Sequence, residues 1–90
     1  MDDIILEFNS LIIKEEDGGY SSLCLDLDVA SQGDTVEEAK NMLIEAVEGY
    51  IEVSVDMKLP FTRPVPDNAN PLIIEPENIV ERFNIHYQAV

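Results

Sequence analysis

Positive charge is scarce in this chain of 90 residues. Five lysine and arginine residues stand against 19 aspartate and glutamate residues, which gives a formal net charge of −14 at pH 7. Nucleic acid is itself a polyanion, so direct binding to it is not expected. Opposite potentials speed the encounter of two proteins, so the excess acid favours a basic protein partner. The alternative is that the acid serves only solubility.

Cysteine, histidine and long apolar runs are scarce as well. Cys24 is the only cysteine, so no internal disulfide can form, and its apolar neighbours predict a buried thiol. His86 is the only histidine, and its position predicts an exposed strand residue. No apolar run approaches the roughly 20 residues that span a membrane, and no segment resembles a signal peptide. We therefore expect a cytoplasmic protein.

Motifs that carry catalysis or hold a cofactor are absent. The chain has no Gly-rich phosphate loop, no Cys/His metal spacing and no nucleophile elbow. We therefore predict no catalytic residue, no metal site and no cofactor. Asp26, Asp28 and Asp34 leave an enzyme as the alternative, because clustered carboxylates can hold Mg²⁺ for RNA cleavage. Turns are, however, rich in aspartate for conformational reasons alone.

The chain is organised around one predicted helix, which begins after Thr35 and ends near Lys58. Its apolar residues recur at three- and four-residue steps, which is typical of one helix face. These residues are Val36, Ala39, Leu43, Ala46, Val47 and Tyr50. Val53 and Met57 are expected to continue that face toward the end of the helix.

The start of the helix has the residues of a capping box. The Thr35 hydroxyl can accept from a free backbone N–H of the first turn, and Glu38 is expected to reach back to the Thr35 N–H. Gly33 is expected to take a backbone angle that a residue with a Cβ resists.

Strand patterns flank the helix. Residues 3–16, 20–25 and 29–32 predict a three-stranded meander, with Gly18 and Gly19 in its first turn and a possible interruption at Asn9 and Ser10. Residues 82–90 alternate between two faces and predict a last strand. The layout is β-β-β-α-β, a single α+β domain over residues 1–90 with two layers, a four-stranded sheet and one main helix. We expect the last strand to lie parallel to the first.

All five prolines lie between Pro60 and Pro76. This composition predicts a long irregular connection, and loops of such length are usually functional or mobile. The plainer interpretation is a stiff return path across the surface. Pro76 could begin one helical turn, because proline suits a first helical position.

Four segments carry a pattern that a known family shares. They are residues 14–20, 27–35, 37–39 and 45–48. Together they resemble the HicB family of antitoxins, particularly the branch with Leu-Asp-Val-Ala-Ser-Gln-Gly before the helix. The resemblance implies a partial RNase H-like fold. It also implies a partner, a small basic HicA-like toxin that cleaves mRNA.

Two departures from that family stand out. Many members have proline where this chain has Leu25, which affects only a local turn. Many also carry a C-terminal DNA-binding module, for which no segment after the last predicted strand fits, so operator binding is not expected. The resemblance transfers no catalytic motif.

Acidic side chains are the candidate contacts to a basic partner. They are Asp26 and Asp28 beside the second turn of the meander, and Glu45, Glu48, Glu52 and Asp56 on one helical stripe. A merely solvated face is the alternative, and an orphan structural protein without a toxin is a further possibility. We also expect a homodimer or higher homo-oligomer, with contacts through residues 4–8 and 83–89, because small sheets leave edges that seek partners.

Overall fold

A computed structural model describes residues 4–89 and shows four strands and one long helix. The strands are β1 (Ile4–Lys14), β2 (Tyr20–Cys24), β3 (Val29–Gly33) and β4 (Ile79–Ala89), and the long helix is α1 (Val36–Asp56). The strand order is β3-β2-β1-β4, and each neighbouring pair is antiparallel. This confirms the α+β arrangement of one main helix on a four-stranded sheet. Asp3 and Val90, the predicted outer ends of the first and last strands, lie outside the described residues.

One face of the sheet packs against α1. Phe8 in β1 pairs with Ile85 in β4, so both side chains point to the same face, where they meet the helix. The buried residues that form this core are Phe8, Cys24, Leu27, Leu43, Val47, Ile51 and Ile85. The small buried side chains of Ser10 and Ser22 lie on the same face and let the helix approach the sheet.

The buried face of α1 differs from the predicted one toward its C-terminal half. The buried residues are Ala39, Leu43, Val47, Ile51 and Ser54. The predicted core residues Val36, Ala46 and Tyr50 flank this face and are partly buried. Val53 and Met57 are exposed, so their placement on the core face is wrong. Val53 lies about 200° around the helix from Ile51, which takes the core position instead.

The helix ends two residues before the predicted Lys58. Lys58 takes a left-handed backbone conformation with φ of 57°. Its N–H donates to the Val55 carbonyl at 3.1 Å, and the Leu59 N–H donates to the Ser54 carbonyl at 2.8 Å. This pair of bonds is a Schellman motif, which satisfies the last carbonyls and turns the chain away from the helix axis.

The start of the helix forms the predicted cap with two changes. Thr35 Oγ1 accepts from the Glu38 N–H at 3.0 Å, as predicted, but Glu38 Oε1 accepts from the Asp34 N–H at 3.1 Å rather than from Thr35. Gly33 has no positive φ. Its role is close approach, because a Cβ there would lie 2.5 Å from the Ala39 nitrogen.

The last strand runs antiparallel to β1, so the predicted parallel placement is wrong. Ile13 pairs with Ile79 and Ile4 with Ala89. The connection after α1 therefore travels the length of the sheet before β4 begins. The handedness rule governs parallel connections only, so it does not restrict this path. The irregularity in β1 also lies elsewhere than predicted, because the pairing shifts between Ile12 and Ile13 while Asn9 and Ser10 stay in register.

The proline-containing connection, residues 57–78, links α1 to β4 and bonds to the turn after β2. Its Val65 N–H donates to the Leu25 carbonyl at 2.8 Å, and Val65 and Pro71 are themselves buried. The connection is less irregular than predicted. It contains 3₁₀ turns at Asp67–Ala69 and Pro76–Asn78 and a short helix, α2, at Pro71–Ile74. The turn at Pro76 confirms the prediction for that position.

Truncating Leu43 should lower the stability of the domain more than truncating Val53. Leu43 is fully buried, so Leu43→Ala should lower the free energy of unfolding by about 2–5 kcal/mol. Val53→Ala on the exposed side of the same helix should change it by less than about 0.5 kcal/mol. Urea denaturation of both variants measures the difference, and equal losses would contradict the placement of the core face.

Two glycine substitutions should act in opposite directions. Gly33→Ala should lower the free energy of unfolding by about 1–3 kcal/mol, because the new methyl group meets the backbone of the first helical turn. Gly49→Ala meets nothing within 4 Å and should raise it by about 0.5–1 kcal/mol. Thermal and urea unfolding test both, and a neutral Gly33→Ala would show that the helix start is not held against β3.

Candidate partner-binding surface

The predicted acidic stripe lies on the side of α1 that faces away from the sheet. Glu45, Glu48, Glu52 and Asp56 are all exposed. None of the four takes part in an ion pair within residues 4–89. The ion pairs of that part of the chain join Lys40 to Glu81 and His86 to Glu7. The stripe is therefore a row of carboxylates that no ion pair among the described residues neutralises.

The end of the stripe is unfavourable for the helix itself. The last turn of α1 carries no basic residue, and Glu52 and Asp56 lie near it. The carbonyl end of a helix bears partial negative charge, so acidic side chains there destabilise it by a few tenths of a kcal/mol up to about 1 kcal/mol. These charges do not stabilise the helix. A bound cationic group would offset the repulsion.

An open apolar groove of about 500 Å³ lies beside this end of the stripe. Its apolar lining comes from four segments of the chain: Leu6, Ile51, Val55, Phe61 and Tyr87. Leu6 and Tyr87 are direct neighbours across β1 and β4. Glu52 and Asp56 also line the groove, so the structure joins two of the predicted residues to an apolar surface. Sequence reasoning missed the apolar lining, because its members are far apart in the chain.

Phe61 and Tyr50 fix the connection against this side of the domain. The Phe61 ring meets the Phe8 ring edge to face at 6.4 Å between centroids. The Tyr50 hydroxyl donates to the Phe61 carbonyl at 3.0 Å. The groove therefore has an anchored wall on the side of the connection.

Asp26 and Asp28 lie apart from the stripe, in the turn between β2 and β3. Asp26 Oδ2 accepts from the Asn9 N–H at 2.7 Å and from its side-chain amide at 3.3 Å, so it closes the end of the β1–β2 pairing. Asp28 has φ of 54°, and its carbonyl accepts from Arg63 Nη2 at 3.2 Å. The guanidinium of Arg63 also stacks 5.3 Å from the centre of the Tyr50 ring. These contacts give the turn a structural role that the sequence did not show.

A second open groove, of about 740 Å³, lies between the β1–β2 turn and the start of α1. Four carboxylates line it without a basic residue among the lining residues: Glu15, Asp17, Asp34 and Glu38. The pairing of Tyr20 with Gly33 brings the two acidic segments together. Three of the carboxylates bind the local backbone or a neighbouring hydroxyl, as when Glu15 accepts from Ser21 Oγ at 2.5 Å. Glu38, predicted only as a cap, thus also contributes to this acidic surface.

The carboxylates of the alternative nuclease hypothesis do not converge. Asp28 and Asp34 lie at opposite ends of β3, whose five residues span about 16 Å. Within residues 4–89, no group of three or more His, Cys, Asp or Glu side chains is placed to hold a metal ion. His86 is an exposed strand residue, with Nδ1 3.4 Å from Glu7 Oε1.

Cys24 lies in the core under α1, as predicted for a buried thiol. Burial raises the pKa of this thiol above its ordinary value, since desolvation outweighs the hydrogen bonds that favour the thiolate. The thiol is therefore a poor nucleophile. None of the helices among the described residues is long and apolar enough to cross a membrane.

Comparison with known proteins gives one informative relative. No family model matches the chain, and no solved structure matches it. The UPF0150 protein ssr1765 of Synechocystis sp. is 40% identical to the chain over 77 residues, which covers 84% of this chain and 90% of the relative. The match therefore extends over most of the length of both proteins. The chain belongs to the UPF0150 family.

Proposed function

We propose that this protein is a HicB-like antitoxin, which binds and neutralises a small basic HicA-like toxin that cleaves mRNA in the cytoplasm. The observation that carries the proposal is the unpaired acidic stripe of α1, with Glu52 and Asp56 at the border of an apolar groove. The resemblance of residues 14–48 to HicB antitoxins supports it. Membership of the UPF0150 family is compatible with it but assigns no activity.

The chemistry of a basic ribonuclease explains why such a surface would neutralise it. An enzyme that grips RNA exposes lysine and arginine side chains to the phosphates. The carboxylates of the stripe offer the same side chains an alternative anionic surface. A protein bound there would cover the RNA-binding face of the toxin, so inhibition needs neither a catalytic residue nor a cofactor on the antitoxin.

The stripe and the groove would contribute at different stages of binding. Exposed ion pairs contribute only about 0.2–1 kcal/mol each. The summed field of the stripe can still raise the association rate by roughly 10–10³-fold, and salt screens that effect. The groove would act after encounter, because apolar area removed from water contributes about 25 cal/mol per Å² and slows dissociation.

Two other functions receive less support. A metal-dependent nuclease would need carboxylates that converge, and Asp34 lies far from Asp26 and Asp28. An orphan structural protein would need no apolar groove beside unpaired acids. Both alternatives predict the absence of a basic partner.

Neutralising the stripe should slow association with the toxin. The partner is captured from the native host, identified by mass spectrometry and purified as an inactive variant. The triple change Glu45→Gln, Glu48→Gln and Glu52→Gln should lower the association rate constant at low salt by at least about tenfold and flatten its salt dependence. Stopped-flow fluorescence or surface plasmon resonance measures the rate.

The matched control removes three exposed charges elsewhere, with Glu16→Gln, Asp67→Asn and Glu77→Gln. It changes the net charge by the same amount, so it should alter the rate by less than about twofold if the local field of the stripe steers binding. Equal effects of the two triple variants would show that only the overall charge matters. If neither triple variant changes the association rate, the stripe serves only solubility.

A charge in the groove should speed dissociation of the complex. Val55 lines the groove and is 59% exposed in the free protein, so Val55→Asp should leave the fold intact. Burying the new carboxylate without a partner should weaken binding at least about tenfold, mainly through the dissociation rate. Val53→Asp on the same helix, 58% exposed and outside the groove, is the control. Identical affinities of the two variants would place the partner elsewhere.

A further inference from the structure

The strand β4 differs in charge from the rest of this acidic chain. Glu81 and Arg82 are its only formally charged residues, so its net charge is zero in a protein of −14. Glu81 is also paired with Lys40 of the helix. The strand itself therefore carries no net charge, while Glu7 lies opposite His86 and Glu52 and Asp56 line the groove beside Tyr87.

The two edges of the sheet are unequal. The edge strand β3 has five residues, lies between Asp28 and Asp34, and borders the acid-lined groove. The other edge strand, β4, has 11 residues. An edge strand presents backbone N–H and C=O groups that can pair with another strand. Among the described residues, β4 is thus the long edge that lacks the acidic protection seen at β3.

The helix leaves part of β4 open on the core side. The main contacts of α1 are with β3 and β2, at the opposite side of the sheet. Phe83 and Tyr87 consequently stay only partly buried, although both point to the face that carries the helix. An additional strand beside β4 would cover these rings at their exposed side.

We propose that β4 pairs with β4 of a second copy of this chain, antiparallel and around a two-fold axis, with Ile85 opposite Ile85. The two sheets then form one continuous sheet of eight strands with both α1 helices on the same side. Closed two-fold pairs are the commonest protein assemblies. This inference does not depend on the proposed antitoxin function.

The net charge of the protein favours a second copy of the chain as the partner at β4. Two molecules of −14 repel each other, so a contact between copies is favoured where each contributes no net charge. A basic partner would gain little at this neutral strand and more at the acidic surfaces of α1. The stripe of α1 therefore suits a basic partner and β4 a second copy, and the two surfaces meet at Tyr87, which also lines the groove.

The register follows from the side chains that it places opposite each other. In an antiparallel pair, residues directly opposite each other point to the same face of the sheet. The two-fold axis therefore passes between two copies of one residue and not between two adjacent residues of a strand. A centre at Ile85 sets Phe83 opposite Tyr87 on both sides of the axis, and aromatic cross-strand pairs are stabilising. A centre at Asn84 would instead set Arg82 opposite His86. The Ile85 centre also leaves the irregular pairing near Ile79 outside the contact.

The oligomeric state tests the interface. Light scattering during gel filtration at micromolar concentration should give about twice the 10.1 kDa mass of one chain. Asn84→Lys with His86→Lys places like charges directly opposite each other across the axis, which destabilises strand pairing, while the new ammonium group at position 86 can still pair with Glu7 of the same chain. Both side chains are exposed, so the variant should become a monomer while circular dichroism shows an intact fold.

The control makes the same change at the other edge. Ala30→Lys with Gln32→Lys places two ammonium groups at the same spacing on the same face of β3, and both positions are exposed. This variant should remain a dimer. A monomeric native protein would overturn the proposal. So would dissociation by the β3 variant, or a dimer that persists in the β4 variant.

Cysteine cross-linking tests the register and does not depend on a loss of association. A mixture of Asn84→Cys and His86→Cys chains should oxidise to a mixed disulfide, because the two positions are directly opposite. Either variant alone should not, since diagonal neighbours lie about 7–8 Å apart, beyond disulfide reach. The buried native Cys24 stays unreactive in each sample. Self-cross-linking of either single variant, or no mixed disulfide, would overturn the Ile85 centre.

Discussion

Repulsion among 19 acidic residues opposes the compact state of this domain, and the contact between α1 and the sheet has to hold against it. Leu43, Val47 and Ile51 supply that contact with fully or almost fully buried side chains. Two of the few basic residues add ties between elements. Lys40 binds Glu81 and lies 5.0 Å from the centre of the Phe83 ring, which joins the helix to β4. Arg63 joins the connection to the turn between β2 and β3. With these cations used internally, the outer face of α1 keeps its charge uncompensated.

The sequence pattern predicted those features that depend on residues close together in the chain. The cap at Thr35, the turn at Gly18 and Gly19, and the core positions Leu43 and Val47 follow from residues a few positions apart. Ile51 was missed because a three-residue step from Val47 selects Tyr50, whereas packing on the sheet selects the position four residues after Val47. The direction of β4 could not be predicted for a different reason. It depends on the path of the connection, which runs the length of the sheet after α1 and brings β4 back antiparallel to β1.

The candidate surfaces divide in the same way. The acidic stripe comes from one helix, so its three- and four-residue spacing was sufficient to predict that Glu45, Glu48, Glu52 and Asp56 share a side. The apolar groove combines β1, α1, the connection and β4, and the acid-lined groove requires the pairing of Tyr20 with Gly33. Asp26 shows the opposite error. Its carboxylate looked available in the sequence but already accepts two hydrogen bonds from Asn9.

Because α1 lies over β3 and β2, away from β4, its position decides which surfaces a pair of chains would present. In a sheet extended through β4, the two helices would stand more than about 20 Å apart, since several strand spacings of about 4.8 Å separate them. The sheet face between the two helices would carry Phe83 and Tyr87 from each copy. Lys40 and Glu81 would lie at its borders. The sheet face between the two helices would be wide enough for another helix or a hairpin, whereas the outer faces of both helices stay open to solvent. Such an assembly would offer two equivalent acidic surfaces on one side, and a bivalent partner would gain avidity from both.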